Sequence, residues 1–281
     1  MRKILRLAIV IYAVLFGAPF IANSSQPPLA SLERGFHLLY DFDFKNAQQE
    51  FANWQKSNPD DPLGPIGEAS AHIFGEFDRL GVLEIQLLMK DSSYESKKHL
   101  SPDPTVRGKF EAALQRAESM AMAHLARNSS DRDALLAMTL ASGLRADYEA
   151  LVEKRNTVSL RNADEARTWG QKLLAVDPTC YDAYLAMGSS NYVVGNLSAP
   201  LRWMLRLGGV SGDKEEGIRQ LKLTADHGRY LAPLARILLA IAYLRDHDVH
   251  QAQYLLSSLQ HDFPENSLFP RALAGLDSRR H

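Results

Sequence analysis

The densest grouping of possible metal ligands in the chain is Asp246, His247, Asp248 and His250, four within five residues. Zinc takes such oxygen and nitrogen donors in a tetrahedron, but ligands this close in sequence need a distant partner to converge. The grouping also falls in a polar turn between two helical stretches, so it reads as solvated turn chemistry. Asp41, Asp43 and Asn46 suggest a calcium loop more weakly still. They lack the glycine and the terminal glutamate that such a loop requires, and read as turn and helix-capping residues. Gly208, Gly209 and Gly212 ahead of Asp213 and Lys214 resemble a phosphate loop superficially. No strand precedes them, Lys214 does not follow a glycine, and no Ser or Thr follows it, so the match fails. The sequence holds no His-Glu-x-x-His, no Gly-x-Ser-x-Gly and no paired-cysteine pattern. Cys180 is the single cysteine; it has no internal disulfide partner and reads as a small packing residue at a helix start. His227 and His261 fall at helix C-termini, where a cationic ring suits the dipole, and His124 takes a packing position. No catalytic residue, cofactor or metal is implied, which leaves binding as the chemistry to look for.

The elements that must position any binding residues show themselves through one spacing that recurs four times. Steps of four, three and five residues lead through Ala47, Phe51, Trp54 and Pro59; through Ala117, Ala121, His124 and Ser129; through Ala166, Gly170, Leu173 and Pro178; and through Ala252, Leu256, Leu259 and Pro264. Steps of four and three stay on one helical face, and the turn residue five further on ends the helix. The second place is bulky only in the outer copies, as Phe51 and Leu256. Twelve residues before Ala47 and Ala252 stand Gly35 and Ala240, small enough for a partner helix to approach closely. Strand-like alternation is scarce, and Ala, Leu, Glu, Gln, Arg and Lys fill the periodic segments, so an all-α domain is expected.

The segment Tyr184 to Leu197, with Tyr184, Met187, Gly188, Gly195 and Asn196, resembles the first helix of the tetratricopeptide repeat family. Leu239, Ala240, Tyr243, Ala252, Leu256, Leu259 and Pro264 fit the same pattern. The resemblance implies a TPR-like solenoid, antiparallel helix pairs stacked in a right-handed superhelix whose concave groove holds a peptide or protein segment. It covers roughly two thirds of the chain between about Ser31 and Leu276. Pro178 and Pro264 lie 86 residues apart, more than two repeat units of roughly 34, so inserted segments interrupt the array. Residues Asp177 to Leu268 are similar to poorly characterised exported bacterial tetratricopeptide proteins. More weakly, through Gly212, Asp213, Lys214 and Gly217, they resemble a eukaryotic tetratricopeptide family associated with mitochondrial and lipid-droplet membranes.

Helices are expected over Ser31 to Ser57 as a pair, Ile66 to Phe77, Asp78 to Lys90, Thr105 to Arg127, Asp131 to about Leu160, Asn162 to Val176 and Lys214 to Asp226, with a polar loop over Asp91 to Pro104. The stretch Leu197 to Lys214 breaks the register. Pro200 stands where the repeat spacing, counted from Gly188, calls for alanine, and it displaces the second helix of that pair. This insertion carries Arg202, Trp203, Met204, Leu205, Arg206 and Leu207. One reading makes it a plug or cap of the superhelix with Arg202 and Arg206 outward. Another makes Trp203, Arg202 and Arg206 an anchor for an acidic or C-terminal peptide, since guanidinium groups pair carboxylates bidentately and aromatics dominate binding hot spots. A third lays it on a membrane surface, although the run is short for an amphipathic anchor. Groove candidates are Tyr184, Asn191 and Tyr192, with Arg236 and Tyr243 on the next unit. Asn191 is placed either to meet peptide backbone or to satisfy a neighbouring helix end.

Arg2, Lys3 and Arg6 precede an apolar run from Leu7, Gly17 and Pro19 break it, and Ala22 and Ser24 offer a cleavage site. Residues 1–24 therefore read as a secretory signal, with an uncleaved inner-membrane anchor as the alternative. Residues 25–30 are a short Pro-rich lead-in, 31–276 the repeat domain and 277–281 a polar tail. Removing the signal leaves 29 Lys and Arg against 33 Asp and Glu, interleaved along the chain, which speaks against nucleic acid as a partner. The expectation is an exported, non-catalytic scaffold in the bacterial periplasm or cell envelope that binds a protein or peptide. A structural subunit of an envelope complex, and less readily an exported helical-repeat hydrolase, are the alternatives. The hydrolase would need acidic or His side chains converging in one pocket.

Overall fold

The computed structural model describes residues 31–84, 100–199, 203 and 211–277. The signal, the lead-in, most of the insertion and all but Asp277 of the polar tail lie outside them. Eleven α-helices are described: α1 Ser31–Tyr40, α2 Phe44–Ser57, α3 Leu63–Arg79, α4 Pro104–Arg127, α5 Arg132–Leu151, α6 Asn156–Val176, α7 Tyr184–Gly195, α8 Lys214–His227, α9 Ala232–Arg245, α10 Val249–Asp262 and α11 Leu268–Asp277. A single 3-10 turn, Tyr181–Ala183, leads into α7. The described fold is all-α, and the helices pack as neighbours in adjacent pairs, α1 with α2 through α9 with α10, while α11 lies on α10. Alternate helices also meet, α1 with α3 and α3 with α5.

The four copies of the 4-3-5 spacing fall on α2, α4, α6 and α10, the second helix of each pair, and their first two positions are buried in every copy. A fifth copy on α8, absent from the sequence reading, runs through Gly217, Leu221 and Thr224, all buried, to Arg229. Ala252 follows Gly217 by 35 residues, close to one repeat unit. The shared register extends to chemistry at the turns. Seven residues past the third position stand Asp61, Asp131 and Asn266, and each accepts from an N–H at the start of the helix that follows. Asp61 Oδ1 accepts from the Leu63 N–H at 2.9 Å, Asp131 Oδ1 from Ala134 at 3.0 Å and Asn266 Oδ1 from Leu268 at 2.9 Å. In the first two copies the third-position ring nitrogen meets the same aspartate: Trp54 Nε1 donates to Asp61 Oδ2 at 2.8 Å, and His124 Nδ1 lies 3.2 Å from Asp131 Oδ2. His124 thus serves a turn.

In the α8 copy the equivalent place is Leu231, which offers no oxygen to α9. Asp182, from the 3-10 turn before α7 and only 4% exposed, supplies it: its carboxylate accepts from the N–H groups of Arg229, Tyr230 and Leu231 at 3.1, 3.1 and 2.9 Å. A buried carboxylate thus satisfies N–H groups leading into α9.

Two expected helices are corrected. The helix expected from Asp78 to Lys90 does not begin: α3 runs on to Arg79 and stops at Gly81, whose φ of 63° is a left-handed conformation suited to glycine, with Val82 N–H bonding back to Phe77 at 3.0 Å. Residues 82–84 are not helical, and 85–90 lie outside the described residues. The continuous helix expected from Asp131 to Leu160 is two helices. The Tyr148 carbonyl accepts from both Val152 and Glu153, Lys154 takes a φ of 56°, and Arg155 N–H bonds to Glu149 at 2.9 Å, which reverses the chain into α6. No glycine or proline marks that turn.

Packing is closest where side chains are smallest. The Phe51 ring, fully buried, lies between Gly35 of α1 and Gly67 of α3, and a Cβ at either glycine overlaps it. Between α7 and α8 the contact is backbone to backbone: a Cβ at Gly217 would stand 2.5 Å from Tyr192 N, and one at Gly188 2.9 Å from Leu221 N. The Gly212 and Gly217 pattern behind the weaker family resemblance is therefore used here for close helix approach.

A polar clasp carries the chain into α4. Glu76, buried on α3, accepts from Arg79 Nε and Nη2 and from the Asp103 N–H, all at 2.7 Å, while Arg79 Nη2 also donates to the Ser101 carbonyl at 2.8 Å. Burial pushes the Glu76 carboxyl up, but the Arg79 fork and the Asp103 N–H outweigh it and hold it below the usual glutamate range. A depressed native value means that the clasp is at full strength above the unfolded-state value and is lost as pH falls through the native one. Glu76→Gln is expected to cost about 1–3 kcal/mol at neutral pH and to flatten the loss of stability below about pH 4; urea midpoints of both chains across that range check it.

The array closes on itself. Glu33 of α1 pairs with Arg229 at 2.5 Å, the Phe36 ring lies 5.0 Å from Tyr230, and the Tyr40 ring 5.8 Å from Phe263. Asn266 Nδ2 donates to the Tyr40 carbonyl at 2.7 Å, and Glu265 N–H to Asp41 Oδ1 at 2.9 Å. The first helix is thus seated on the turns before α9 and α11.

Candidate functional site

The insertion joins α7 to α8, and both its ends are held. Gly195, the last residue of α7, sits against Lys214 at the start of α8, where a Cβ has no room, and a Cβ at Gly212 would stand 2.9 Å from the Asn191 carbonyl. Asp213 caps α8 through the Glu216 N–H at 2.8 Å, as its position ahead of Lys214 predicts. From this fixed base the chain presents Trp203, 66% exposed. A tryptophan left in water forgoes most of the stabilisation that burial of its surface gives, so an exposed one on a held base is an available anchor. Arg202 and Arg206 lie outside the described residues.

The other candidates divide between two helix pairs. Tyr184 stacks beside Tyr181 with centroids 6.3 Å apart and donates to the Pro178 carbonyl at 3.3 Å. Asn191 Nδ2 donates to Gln220 Oε1, a side chain in the body of α8, at 2.9 Å, a contact across the helix pair and not with a helix end. Tyr192 is buried against the same helix, and burial raises its hydroxyl above the ordinary tyrosine value. Arg236 turns towards α10, donating to Ser258 Oγ at 3.1 Å and Asp262 Oδ2 at 2.6 Å. Tyr243 is half-buried against the C-terminal core. Trp203 is the most exposed of the described candidates.

The turn with the four possible metal ligands is also in place. Asp248 caps α10 through the Gln251 N–H at 3.1 Å, Asp246 pairs with Lys214, and His247 takes a φ of 61° in the turn. Among the described residues no three His, Cys, Asp or Glu side chains are grouped to hold a metal. A cavity of about 240 Å³ opens between the end of α3 and α11, lined by Asp78, Arg79, Gly81, Glu84, Leu268 and Arg271 among others, with no histidine or cysteine. Cys180 is buried, and burial raises its thiol above the ordinary value, the wrong direction for a nucleophile. No helix among the described residues is long and apolar enough to cross a membrane.

Compared with known proteins, the chain matches no family model and no curated protein.

Proposed function

We propose that this chain is a tetratricopeptide-type scaffold, exported to the cell envelope, that binds a protein or peptide partner through the insertion between α7 and α8. The observation that carries the reading is Trp203, 66% exposed on a segment whose two ends are fixed by glycine contacts and the Asp213 cap. Five helices with one buried register, three of them followed by a side-chain acceptor at the same place in the turn, support the repeat class. Residues 1–24, in the order of a secretory signal, support export. Arg202 and Arg206, one and three residues from Trp203 in the sequence, are of the residue type that suits an acidic or C-terminal peptide, with the aromatic as anchor and guanidinium groups as carboxylate clamps.

The test is affinity capture from envelope extract with residues 25–281, native and Trp203→Ala, beside Tyr254→Ala as a control. Tyr254, on α10, is 69% exposed, so it matches Trp203 in stickiness but not in place. A partner retained by native and Tyr254→Ala chains and lost from Trp203→Ala is the expected result. Equal capture by all three moves the binding site off the insertion and favours its reading as a cap.

A further inference from the structure

We infer that the seam between α1 and the C-terminal turns is a latch, and that the array opens there without unfolding a helix. Most of the buried apolar side chains fall into two clusters. One runs from Leu32 to Ala183 and takes in Tyr230 and Leu231; the other runs from Ala240 to Leu276 and takes in a single residue from the far end of the chain, Tyr40. Between the clusters stand α7 and α8, which meet through glycines and whose own buried apolar side chains, Tyr192, Val194 and Leu221, belong to neither.

Every large interface of the C-terminal helices is with a sequence neighbour: α9 with α8, α10 with α9, α11 with α10. The seam therefore differs in kind, joining residues about two hundred positions apart through a handful of groups. Asn266 is its centre. It is 2% exposed, and its amide is used twice: the oxygen caps α11 and the nitrogen holds the Tyr40 carbonyl. Releasing it and the Tyr40 ring parts α1 from the turn before α11, while Glu33–Arg229 and Phe36–Tyr230 still seat α1 on the turn before α9; a stacked array accommodates the separation through small rotations at the repeat interfaces beyond that turn. The open form uncovers Phe263 and the edge of the second core that α1 now covers. The inference holds whether or not the insertion binds a partner.

The test labels Gln48→Cys on α2 and Gln260→Cys on α10, both exposed, with spin labels in the full chain; Cys180 is buried and stays unlabelled. Asn266→Asp keeps the acceptor that caps α11 and removes the donor to Tyr40, and Tyr40→Ala withdraws the ring. The expected result is a second, longer distance population whose ratio to the short one rises about tenfold or more in the double variant, with helical circular dichroism unchanged. A single short distance that persists until helicity is lost, in the variant as in the native chain, overturns the latch.

Discussion

Phe51→Ala is expected to lower the unfolding free energy by about 3–5 kcal/mol, the range for emptying a fully buried aromatic site. The ring is fully buried, meets Phe36 edge-on at 5.2 Å and fills the gap left by Gly35 and Gly67. The cavity has little means of collapse, because α1 is held at its other side by the seam. The sharper prediction concerns sign. Gly67→Ala alone overlaps the Phe51 ring and is expected to cost about 1–3 kcal/mol, as overpacking does. In the Phe51→Ala background the added methyl enters the vacated space and alanine is the better helix former by about 1 kcal/mol, so the same substitution becomes neutral or stabilising. A double-mutant cycle by urea denaturation reads the coupling. Additive effects would mean that Gly67 and Phe51 are not in contact, and that α1, α2 and α3 do not pack as described.

Asp182→Ala is expected to cost about 3 kcal/mol, because three N–H groups at the start of α9 lose their acceptor where water does not replace it. Asp182→Asn keeps the Oδ1 position that serves Tyr230 and Leu231 and is expected to lose about half as much. The pH dependence separates it from Glu76. Burial raises the Asp182 carboxyl despite the three N–H bonds that lower it. The native state then holds the proton more tightly than the unfolded one, and stability from this group declines as pH rises from the ordinary aspartate value through the raised one. Asp182→Asn removes that decline, whereas Glu76→Gln removes a gain with rising pH. Denaturation midpoints of the two variants across the acid range are therefore expected to diverge.

The helical class, the pairing and four of the five second helices were legible because their signal is local: small and apolar residues at steps of four and three, then a turn residue. The α8 copy escaped because glycine and threonine take its first and third places and Arg229 its turn, so its composition does not look apolar although its positions are buried. The break after Leu151 escaped because Lys154 takes a left-handed conformation that its type does not advertise. Asp213 was readable as a cap, since cap and helix are adjacent. Asp182 was not, since the helix it serves starts 50 residues later. The seam was illegible for the same reason, as no spacing rule links Tyr40 to Asn266. Among the binding candidates, Asn191 and Arg236 have the polar character that suits a groove, but the same character serves helix pairing, and only contacts across the pair distinguish the two uses.

The central claim is that an exposed tryptophan on a fixed base anchors a partner, and its most direct measurement is calorimetric titration of the captured partner into the native chain and into Trp203→Ala. Circular dichroism must first show both chains equally helical. A hot-spot aromatic predicts a loss of about 2 kcal/mol or more, a dissociation constant weaker by about thirtyfold. An unchanged dissociation constant in the Trp203→Ala chain would contradict the account and return the insertion to the role of a cap.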